Sequence, residues 1–193
     1  MIIGITGGTG CGKTTLLKEI EARGGLVLDC DAIYHALLQT DKQMLSDIEA
    51  RFPGTVTQGQ LDRKKLGAIV FSDEKALLDL NKITHCAIHT EILRRLEGQQ
   101  GHAAIDAAAL FESGMDKLCD VTVAVTAPAE VRLRRLMERD RISAQYAQSR
   151  IDAQPADDWF RDKCGYVLEN NGSQAEFQTK CLAFLRELGI MKA

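Results

Sequence analysis

Apolar residues follow two different patterns along this chain. Five short runs are rich in aliphatic residues, as expected for strands that are buried on both faces of a sheet. These runs lie at residues 1–6, 26–29, 102–106, 121–125 and 166–169. Between them, apolar residues recur at helical spacing, as in residues 127–140 and 173–188. Because strands that alternate with helices form parallel sheets, this order predicts an α/β fold with a five-stranded parallel sheet flanked by helices.

One long segment, residues 31–98, breaks the alternation. It holds roughly three helical stretches and no convincing strand, with helices expected over residues 62–71 and 73–97. Insertions into open α/β sheets usually shape a site for a second substrate. We therefore expect a helical acceptor lobe at about residues 31–100.

Composition and charge limit the kinds of molecule that this chain is expected to bind. A net charge of −3 over 193 residues does not favour nucleic acid held by bulk electrostatics. The N-terminus does not resemble a signal peptide, and no apolar run approaches the length of a bilayer span, so no membrane partner is expected. Six cysteines are scattered without a CxxC pair, which favours reduced thiols and a cytoplasmic protein.

The stretch from Gly7 to Thr14 matches the phosphate-loop pattern G-x-x-x-x-G-K-[ST] and lies after a predicted strand and before a predicted helix. In such a loop the backbone N–H groups surround phosphate oxygens, and the helix that follows adds its own free N–H groups. Lys13 is expected on the β- and γ-phosphates, and the Thr14 hydroxyl is expected to ligate Mg²⁺. The sequence therefore predicts a nucleoside triphosphate site.

The loop does not specify the reaction. The N-K-x-D pattern that reads guanine in GTPases does not occur in the sequence, and a small chain with a helical insertion favours a kinase that acts on a small acceptor. A nucleoside or nucleoside-monophosphate kinase on the same scaffold is an alternative. A nucleotide-binding switch protein is another, although acids and arginines elsewhere argue against it.

Three aspartates follow predicted strands. Asp29 and Asp31 end the second strand, where ligands gather in parallel sheets, and on an extended segment they would point to opposite sides. One of them is expected to accept the proton of an attacking hydroxyl, while the other could cap a helix that starts near Ala32. Asp106 ends the third strand and is either a carboxylate that orients Mg²⁺ or a loop residue.

Five arginines are concentrated in residues 131–141. Most arginines on such a helix form a solvated face, but Arg135 and Arg139 share one face and could contact a transferring phosphoryl group. The segment that continues to about Pro155 is predicted to be a lid that excludes water. The four histidines have no metal-like grouping, which favours structural or acceptor-contact roles over zinc binding.

Taken in order along the chain, several segments resemble the dephospho-CoA kinase family. These segments are GITGGTGCGKTT (4–15), DCDAIYH (29–35), GQLDRKKLGAIVF (59–71), LNKITHCAI (80–88), DAAALFESG (106–114), RLMERD (135–140), RIDAQ (150–154) and YVLENNG (166–172). The phosphate loop is shared by many enzymes, whereas the ordered set of the later segments is far more specific. The resemblance covers nearly the whole chain.

The resemblance implies a P-loop kinase with a core (about 1–30, 101–130 and 164–193), the inserted acceptor lobe and a lid (about 131–163). The implied reaction is phosphorylation of the ribose 3′-hydroxyl of dephospho-CoA by ATP with Mg²⁺, which is the last step of coenzyme A synthesis. It implies small-molecule substrates and a monomer or small homo-oligomer.

The resemblance also implies roles for individual residues. Asp31 is the expected base, with Asp29 second, and Lys13 and Arg139 are expected to stabilise the transferring group. The remaining expected contacts fall into three sets. ATP is contacted by Gly10, Cys11, Gly12, Lys13, Thr14, Thr15 and, at adenine, Asn170; the acceptor or lid set is Asp29, His35, His85, Phe111, Glu112 and Arg135; and the metal set is Thr14 and Asp106.

The sequence departs from the family pattern at two prolines. Cys86 and Ala108 stand where the family usually has proline. Loss of proline restores a backbone N–H and frees the backbone, so looser turns are expected at both positions.

Overall fold

A computed structural model of the chain describes residues 1–190. Its main sheet has five parallel strands in the order β2-β5-β1-β6-β7, which confirms the predicted α/β fold. The strands in chain order are β1 (Ile2–Thr6), β2 (Leu26–Asp29), β3 (Val56–Thr57), β4 (Gln60–Leu61), β5 (Ala103–Asp106), β6 (Val121–Thr126) and β7 (Tyr166–Glu169). The described chain divides into two compact units, Met1–Leu28 with the residues from Gln100 onward, and Asp29–Gln99.

The centre of the sheet positions the end of β1. Ile5 of β1 is in register with Asp106 of β5 on one side and with Val123 of β6 on the other. The chain leaves β1 for the β2 side of the sheet and later crosses to the β6 side. Such a reversal opens a crevice at the carboxyl ends of the strands, where ligands bind in open α/β sheets. The residues that follow β1 and β5 therefore lie side by side at this edge.

Helices of the first unit cover the sheet. They are α1 (Lys13–Glu21), a 3₁₀ turn (Met115–Leu118), α6 (Ala129–Asp140), α7 (Ala144–Asp152), α8 (Asp157–Lys163) and α9 (Gln174–Glu187). α1 and α9 pack together, and their buried Leu16, Ile20, Phe177 and Phe184 join Ile3, Ile5, Val123 and Val125 of the sheet in one core. Ser173 and Glu176 form a capping box at the start of α9, which fixes where that helix begins.

The second unit contains four helices and a hairpin. Its helices are α2 (Cys30–Thr40), α3 (Lys42–Arg51), α4 (Arg63–Val70) and α5 (Glu74–Leu96). α2, α3 and α4 each pack against α5. Buried aliphatic residues from all four helices, among them Ile33, Leu37, Met44, Ile48, Leu66, Val70, Ile88 and Ile92, supply the core of this unit.

The expectation of roughly three helices and no strand in this segment is wrong on both counts. Asp41 adopts an extended conformation between α2 and α3, and its side chain accepts a hydrogen bond from Met44 N, so one helical stretch becomes two. β3 and β4 pair antiparallel around Gln58 and Gly59, whose φ values of 52° and 76° are those of a type I′ turn. Strands of two residues are too short to show a period of two in the sequence.

The expected turn at Cys86 is also wrong. Cys86 lies inside α5, and its carbonyl accepts a hydrogen bond from the Thr90 hydroxyl at 3.0 Å. A proline at this position would remove one hydrogen bond of the helix and distort it. Cysteine therefore allows α5 to continue for 23 residues.

Among residues 1–190, no helix is both long and apolar enough to span a bilayer.

Candidate active site

The loop between β1 and α1 forms the backbone of the candidate nucleotide site. Gly12 is the N-cap of α1 and has a φ of 100°. Residues other than glycine rarely adopt this conformation. A Cβ at Gly12 would also collide with the side-chain amide of Asn170. α1 starts immediately after this glycine, so the N–H groups of its first turn and its positive dipole end face the loop. This local structure favours the binding of phosphate.

Two charged groups face each other at the loop. The Lys13 ammonium donates a hydrogen bond to Gly7 O at 3.0 Å and lies 3.9 Å from Asp106 Oδ1. Both side chains are only 17% exposed, so their charges are screened less than those of surface residues. The register of β1 and β5 thus brings a lysine and a carboxylate together at the edge where both strands end.

The oxygen ligands near the loop suit Mg²⁺ better than a cation whose ligands must all come from protein side chains. Thr14 is exposed, and its hydroxyl makes no hydrogen bond within residues 1–190. No cluster of three or more His, Cys, Asp or Glu side chains in this part of the chain could hold a cation by itself. Mg²⁺ in phosphoryl-transfer sites takes few protein ligands and completes its shell with water and phosphate oxygens. One hydroxyl and one carboxylate, from Thr14 and Asp106, are consistent with that pattern.

Arg135 and Asn170 bind the outer side of the loop. Arg135 Nη1 lies 3.3 Å from Gly10 O and 3.4 Å from Cys11 O, and its Nη2 donates to Asn170 Oδ1 at 3.1 Å. The buried Asn170 donates its own Nδ2 to Cys11 O at 2.8 Å. The structure therefore places both side chains on loop carbonyls. The contacts expected of them with the acceptor and with adenine stay predictions.

A second pair, Arg132 and Gln154, holds the loop at Thr9. Arg132 is only 4% exposed, and its Nε donates to Thr9 O at 2.9 Å. Gln154 Oε1 accepts from Thr9 N at 2.6 Å and from Arg132 Nη2 at 3.1 Å. Arg132 also pairs with Asp157 at 3.4 Å, and a side chain on Gly8 would clash with its guanidinium. The segment after α7 is thereby fastened to the phosphate loop.

Arg139 lies in a different environment from Arg135. It is exposed and forms two hydrogen bonds with Asp140, at 2.6 and 3.0 Å, while Arg150 of α7 donates to Asp140 at 2.6 Å. The hydrogen bond from Arg139, together with that from Arg150, lowers the pKa of Asp140 to about 2. Asp140 therefore stays ionised at neutral pH and links α6 to α7. The structure does not bring Arg139 to the phosphate loop, and its contact with the transferring group stays a prediction.

The loop after β5 carries Phe111 and Glu112. The ring of Phe111 meets Trp159 of α8 edge-on, with centroids 5.8 Å apart, and Trp159 meets Phe160 in the same way at 5.1 Å. Glu112 is exposed. Phe111 thus contacts the segment predicted as the lid, and Glu112 is accessible to a ligand.

Asp29 and Asp31 differ in what their carboxylates do. The expectation that both lie on an extended segment is wrong, because α2 begins at Cys30 and places Asp31 in its first turn. Asp29 is the N-cap of α2, and its Oδ1 accepts hydrogen bonds from Asp31 N at 2.9 Å and Ala32 N at 3.0 Å. Asp31 is exposed and no hydrogen bond of its carboxylate is found within residues 1–190. The capping alternative therefore applies to Asp29, and Asp31 remains available to accept a proton.

The two histidines expected near the acceptor lie on separate helices of the second unit. His35 of α2 is exposed, and its Nδ1 lies 3.2 Å from Arg63 Nη2. Because a guanidinium only donates, Nδ1 is the acceptor in this hydrogen bond. His85 is half-buried on α5.

Sequence reasoning missed Arg132, Gln154 and Arg63. Five arginines within eleven residues gave no way to tell a buried side chain from an exposed one. Arg132 does lie three residues before Arg135, one helical turn away, and this spacing was the available signal. Gln154 closes the segment RIDAQ and Arg63 lies in LDR, so the resemblance marked both positions without giving either a role.

Cys11 belongs to the core and not to the reactive surface of the loop. It is 1% exposed and packs with the aliphatic residues of β1 and α1. Burial raises the pKa of its thiol in spite of the nearby positive charge of Lys13. A protonated, inaccessible thiol has little nucleophilic reactivity. The small size of Cys11 therefore matters more than its chemistry.

Comparisons with known proteins agree over most of the chain. A family model described as dephospho-CoA kinase matches residues 1–176. A dephospho-CoA kinase from Corynebacterium diphtheriae is 36% identical over 179 residues, which cover 90% of this chain and 90% of that protein. One from Moorella thermoacetica is 39% identical over 160 residues, covering 79% of this chain and 76% of that protein.

Solved structures match over nearly the whole chain. The dephospho-CoA kinase of Campylobacter jejuni matches with a TM-score of 0.67 and 27% identity, over 98% of both chains. A Thermus thermophilus protein matches with a TM-score of 0.82 and 32% identity, over 97% of both chains. A shikimate kinase from Bacteroides thetaiotaomicron, 17% identical with a TM-score of 0.55 over 98% of both chains, shares the fold.

The Gln154 contacts predict a loss of nucleotide affinity in Gln154→Ala. The change removes the acceptor of Thr9 N–H and of Arg132, and a buried donor left without a partner costs about 1–3 kcal/mol. We expect the dissociation constant for Mg·ATP, measured by calorimetric titration, to rise about tenfold. Gln148→Ala is the matched control, since Gln148 bonds only Asp152 on the outer side of α7. Equal affinity in both variants would show that the Gln154 contacts do not shape the loop.

The burial of the thiols predicts selective alkylation. Cys86 is the exposed cysteine of the six, whereas burial raises the pKa of Cys119 and Cys181 to about 12 and that of Cys164 to about 11. We expect iodoacetamide at pH 7.5 to modify one thiol quickly in the native protein, as counted by intact mass, and all six after denaturation. Cys86→Ser should remove the fast reaction. Rapid labelling of Cys11 would contradict its assignment to the core.

Proposed function

The chain belongs to the dephospho-CoA kinase family, and we propose that Lys13, Asp31 and the arginines of α6 carry out its phosphoryl transfer. The acceptor in this proposal is the ribose 3′-hydroxyl of dephospho-CoA, the donor is ATP, and the products are CoA and ADP. The assignment of roles rests on the different hydrogen bonding of the Asp29 and Asp31 carboxylates. One carboxylate caps α2, and the neighbouring one is exposed at the start of the same helix.

The donor side uses the phosphate loop. The N–H groups at the start of α1 bind the β-phosphate, and residues 10–15 surround the phosphate chain. Lys13 exchanges its hydrogen bond with Gly7 O for one with the β- and γ-phosphate oxygens. Thr14 and Asp106, directly or through water, would hold Mg²⁺, which would neutralise charge on these oxygens. A lysine and a carboxylate 3.9 Å apart support this arrangement.

The acceptor side uses Asp31. As the 3′-oxygen forms its bond to the γ-phosphorus, the bond to the β-γ bridging oxygen breaks and ADP leaves. The hydroxyl proton passes to a carboxylate oxygen of Asp31. The carboxylate of Asp31 is exposed and makes no hydrogen bond within residues 1–190, so its oxygens are accessible to that proton.

Arginines stabilise the charge that spreads over the transferring group. Arg135 is held on the outer side of the loop by Gly10, Cys11 and Asn170, so it exchanges these hydrogen bonds for new ones when it contacts phosphate oxygens. Arg139 is held by Asp140 at the end of α6 and reaches the phosphoryl group only if this ion pair opens. Residues 131–163 act as the lid that keeps water away from the γ-phosphate.

The remaining organisation follows from the same proposal. Residues 1–30, 101–130 and 164–193 form the nucleotide-binding core, of which the last three residues lie outside the described part, and residues 31–100 bind the acceptor. Six cysteines without a disulfide, one of them exposed, are typical of the reducing cytoplasm, where we place the reaction. The substrates are small molecules, and the enzyme works as a monomer or a small homo-oligomer.

Asp31→Asn tests the proposed base. The amide cannot accept a proton, and loss of a general base lowers kcat about 10²–10⁴-fold. We expect this loss in a coupled assay of ADP formation with dephospho-CoA, while the affinity for Mg·ATP stays unchanged.

The matched control is Asp29→Asn. Asparagine is as good an N-cap as aspartate, so α2 and the activity should both be preserved within a few-fold. A large loss of kcat in Asp29→Asn with normal activity in Asp31→Asn would exchange the two roles. Failure of the unaltered protein to phosphorylate dephospho-CoA at high enzyme concentration would overturn the proposed reaction itself.

A further inference from the structure

The first residue of α8 is joined to the phosphate loop through one buried arginine. Asp157 Oδ1 lies 3.4 Å from Arg132 Nη1, and Arg132 Nε donates to Thr9 O at 2.9 Å. Because Arg132 is only 4% exposed, this ion pair is screened less than a pair on the surface. A change in the position of Thr9 must therefore move the start of α8 or break the ion pair.

The last turn of α8 is joined to the loop by a second route. Arg161 Nη2 donates to Glu169 Oε1 at 2.7 Å, at the end of β7. The next residue of the chain, Asn170, is buried and donates to Cys11 O at 2.8 Å. Arg161 and Glu169 are both partly exposed, so this contact is the weaker of the two. α8 is thus attached to the outer side of the loop at both of its ends.

The middle of α8 carries the single tryptophan of the chain. Trp159 is half-buried, meets the buried ring of Phe160 edge-on and has Lys163 Nζ 5.8 Å from its ring centroid. It also meets Phe111 edge-on, with centroids 5.8 Å apart. Rings in this geometry attract each other by more than their buried area accounts for. Trp159 therefore restricts the positions that the ring of Phe111 can take.

Phe111 belongs to the loop after β5, at the edge of the sheet where ligands bind in open α/β folds. This loop begins beside the phosphate loop, because the Thr6 hydroxyl at the end of β1 donates to Ala108 O at 3.3 Å. Phe111 is only half-buried, so part of its ring is accessible to a ligand. α8 therefore links the outer side of the phosphate loop to a residue expected to contact the acceptor.

We propose that Trp159 is a positioning residue, which holds Phe111 in place for the acceptor and makes this position depend on nucleotide in the phosphate loop. The inference rests on the proposed function. Nucleotide fixes the loop, the loop fixes α8 through Arg132 and Asp157, and α8 fixes the ring of Phe111. A second ligand that meets a site already ordered loses less conformational entropy on binding. The nucleotide and the acceptor should therefore each bind more tightly when the other is present.

The size of this coupling is limited by its weakest contact. Coupling between two sites usually changes an affinity about 5–150-fold, and the factor is the same for both ligands. A single edge-on pair of rings supports the low end of this range, so we expect a factor of about five.

The factor is measured as a ratio of dissociation constants. Calorimetric titration gives the constant for dephospho-CoA without nucleotide and with a saturating non-hydrolysable β,γ-imido analogue of ATP and Mg²⁺. The ratio should be about five in the unaltered protein and should fall to about one in Asp157→Ala and Trp159→Ala. Trp159→Phe keeps an aromatic ring and should retain most of the ratio. A variant that only loses stability lowers the Tm but leaves the ratio unchanged.

Asp158→Ala is the matched control for Asp157→Ala. Both aspartates lie in the first turn of α8, so both substitutions remove the same charge from the start of the helix. The Asp158 side chain is 95% exposed and pairs with Arg161 at 4.0 Å, so its loss leaves the Arg132 contact in place. The ratio in Asp158→Ala should stay at about five.

The fluorescence of Trp159 tests the link between the loop and α8 without the acceptor. Addition of the ATP analogue with Mg²⁺ should change the emission of the unaltered protein and of Asp158→Ala, but not that of Asp157→Ala. An emission that does not respond in the unaltered protein would contradict this link.

Two results of the titrations would overturn the inference. A ratio near one in the unaltered protein would show that the two sites are not coupled. An unchanged ratio in Asp157→Ala and Trp159→Ala would show that the coupling does not pass through α8. Turnover of dephospho-CoA by the unaltered protein is measured separately, so an absent coupling leaves that activity intact, whereas a wrong proposed function abolishes it.

Discussion

The phosphate loop imposes a constraint that organises the rest of the first unit. A backbone that turns successive N–H groups toward a phosphate turns its carbonyls to the outside, where each needs a donor. Here Arg132 donates to the carbonyl of Thr9, and Arg135 and Asn170 donate to those of Gly10 and Cys11. These donors come from α6 and from the residue after β7. The outer side of the loop is therefore built by parts of the chain that lie more than 120 residues away in sequence.

The arginines of α6 differ in whether they donate hydrogen bonds to the loop carbonyls. Those that face the loop are buried or half-buried and satisfy its carbonyls, whereas Arg139, at the end of the helix, is exposed and paired with Asp140. A charge that donates to the loop carbonyls is fixed in place by them, while a charge held in an exposed ion pair is released at little cost because such pairs contribute little stability. One helix thus supplies both fixed and movable cations.

The sequence was sufficient for features that depend on local patterns. All five strands of the main sheet, α9 with its capping box and the order of the phosphate loop follow from apolar runs, glycines and cap residues. It was not sufficient where tertiary contacts decide. The break at Asp41 and the hairpin at Gln58 and Gly59 interrupt a segment whose apolar pattern looks continuous. The burial of Arg132 depends on Gln154 and Asp157, which no local pattern connects to it.

The residue at which α2 begins affects which aspartate is available as the proposed base. If Asp29 and Asp31 both lay on a strand, their carboxylates would point in opposite directions and either could be the base. Because α2 begins at Cys30, the first carboxylate is used by the N–H groups of the helix, and the second is presented on the same face as Tyr34 and His35. In the proposed reaction the helix cap therefore leaves Asp31 as the base, and the spacing of the first turn sets which side chains lie on the same face as Asp31. The loop carbonyls are satisfied by residues of the first unit, so substitutions in α2 leave these hydrogen bonds in place.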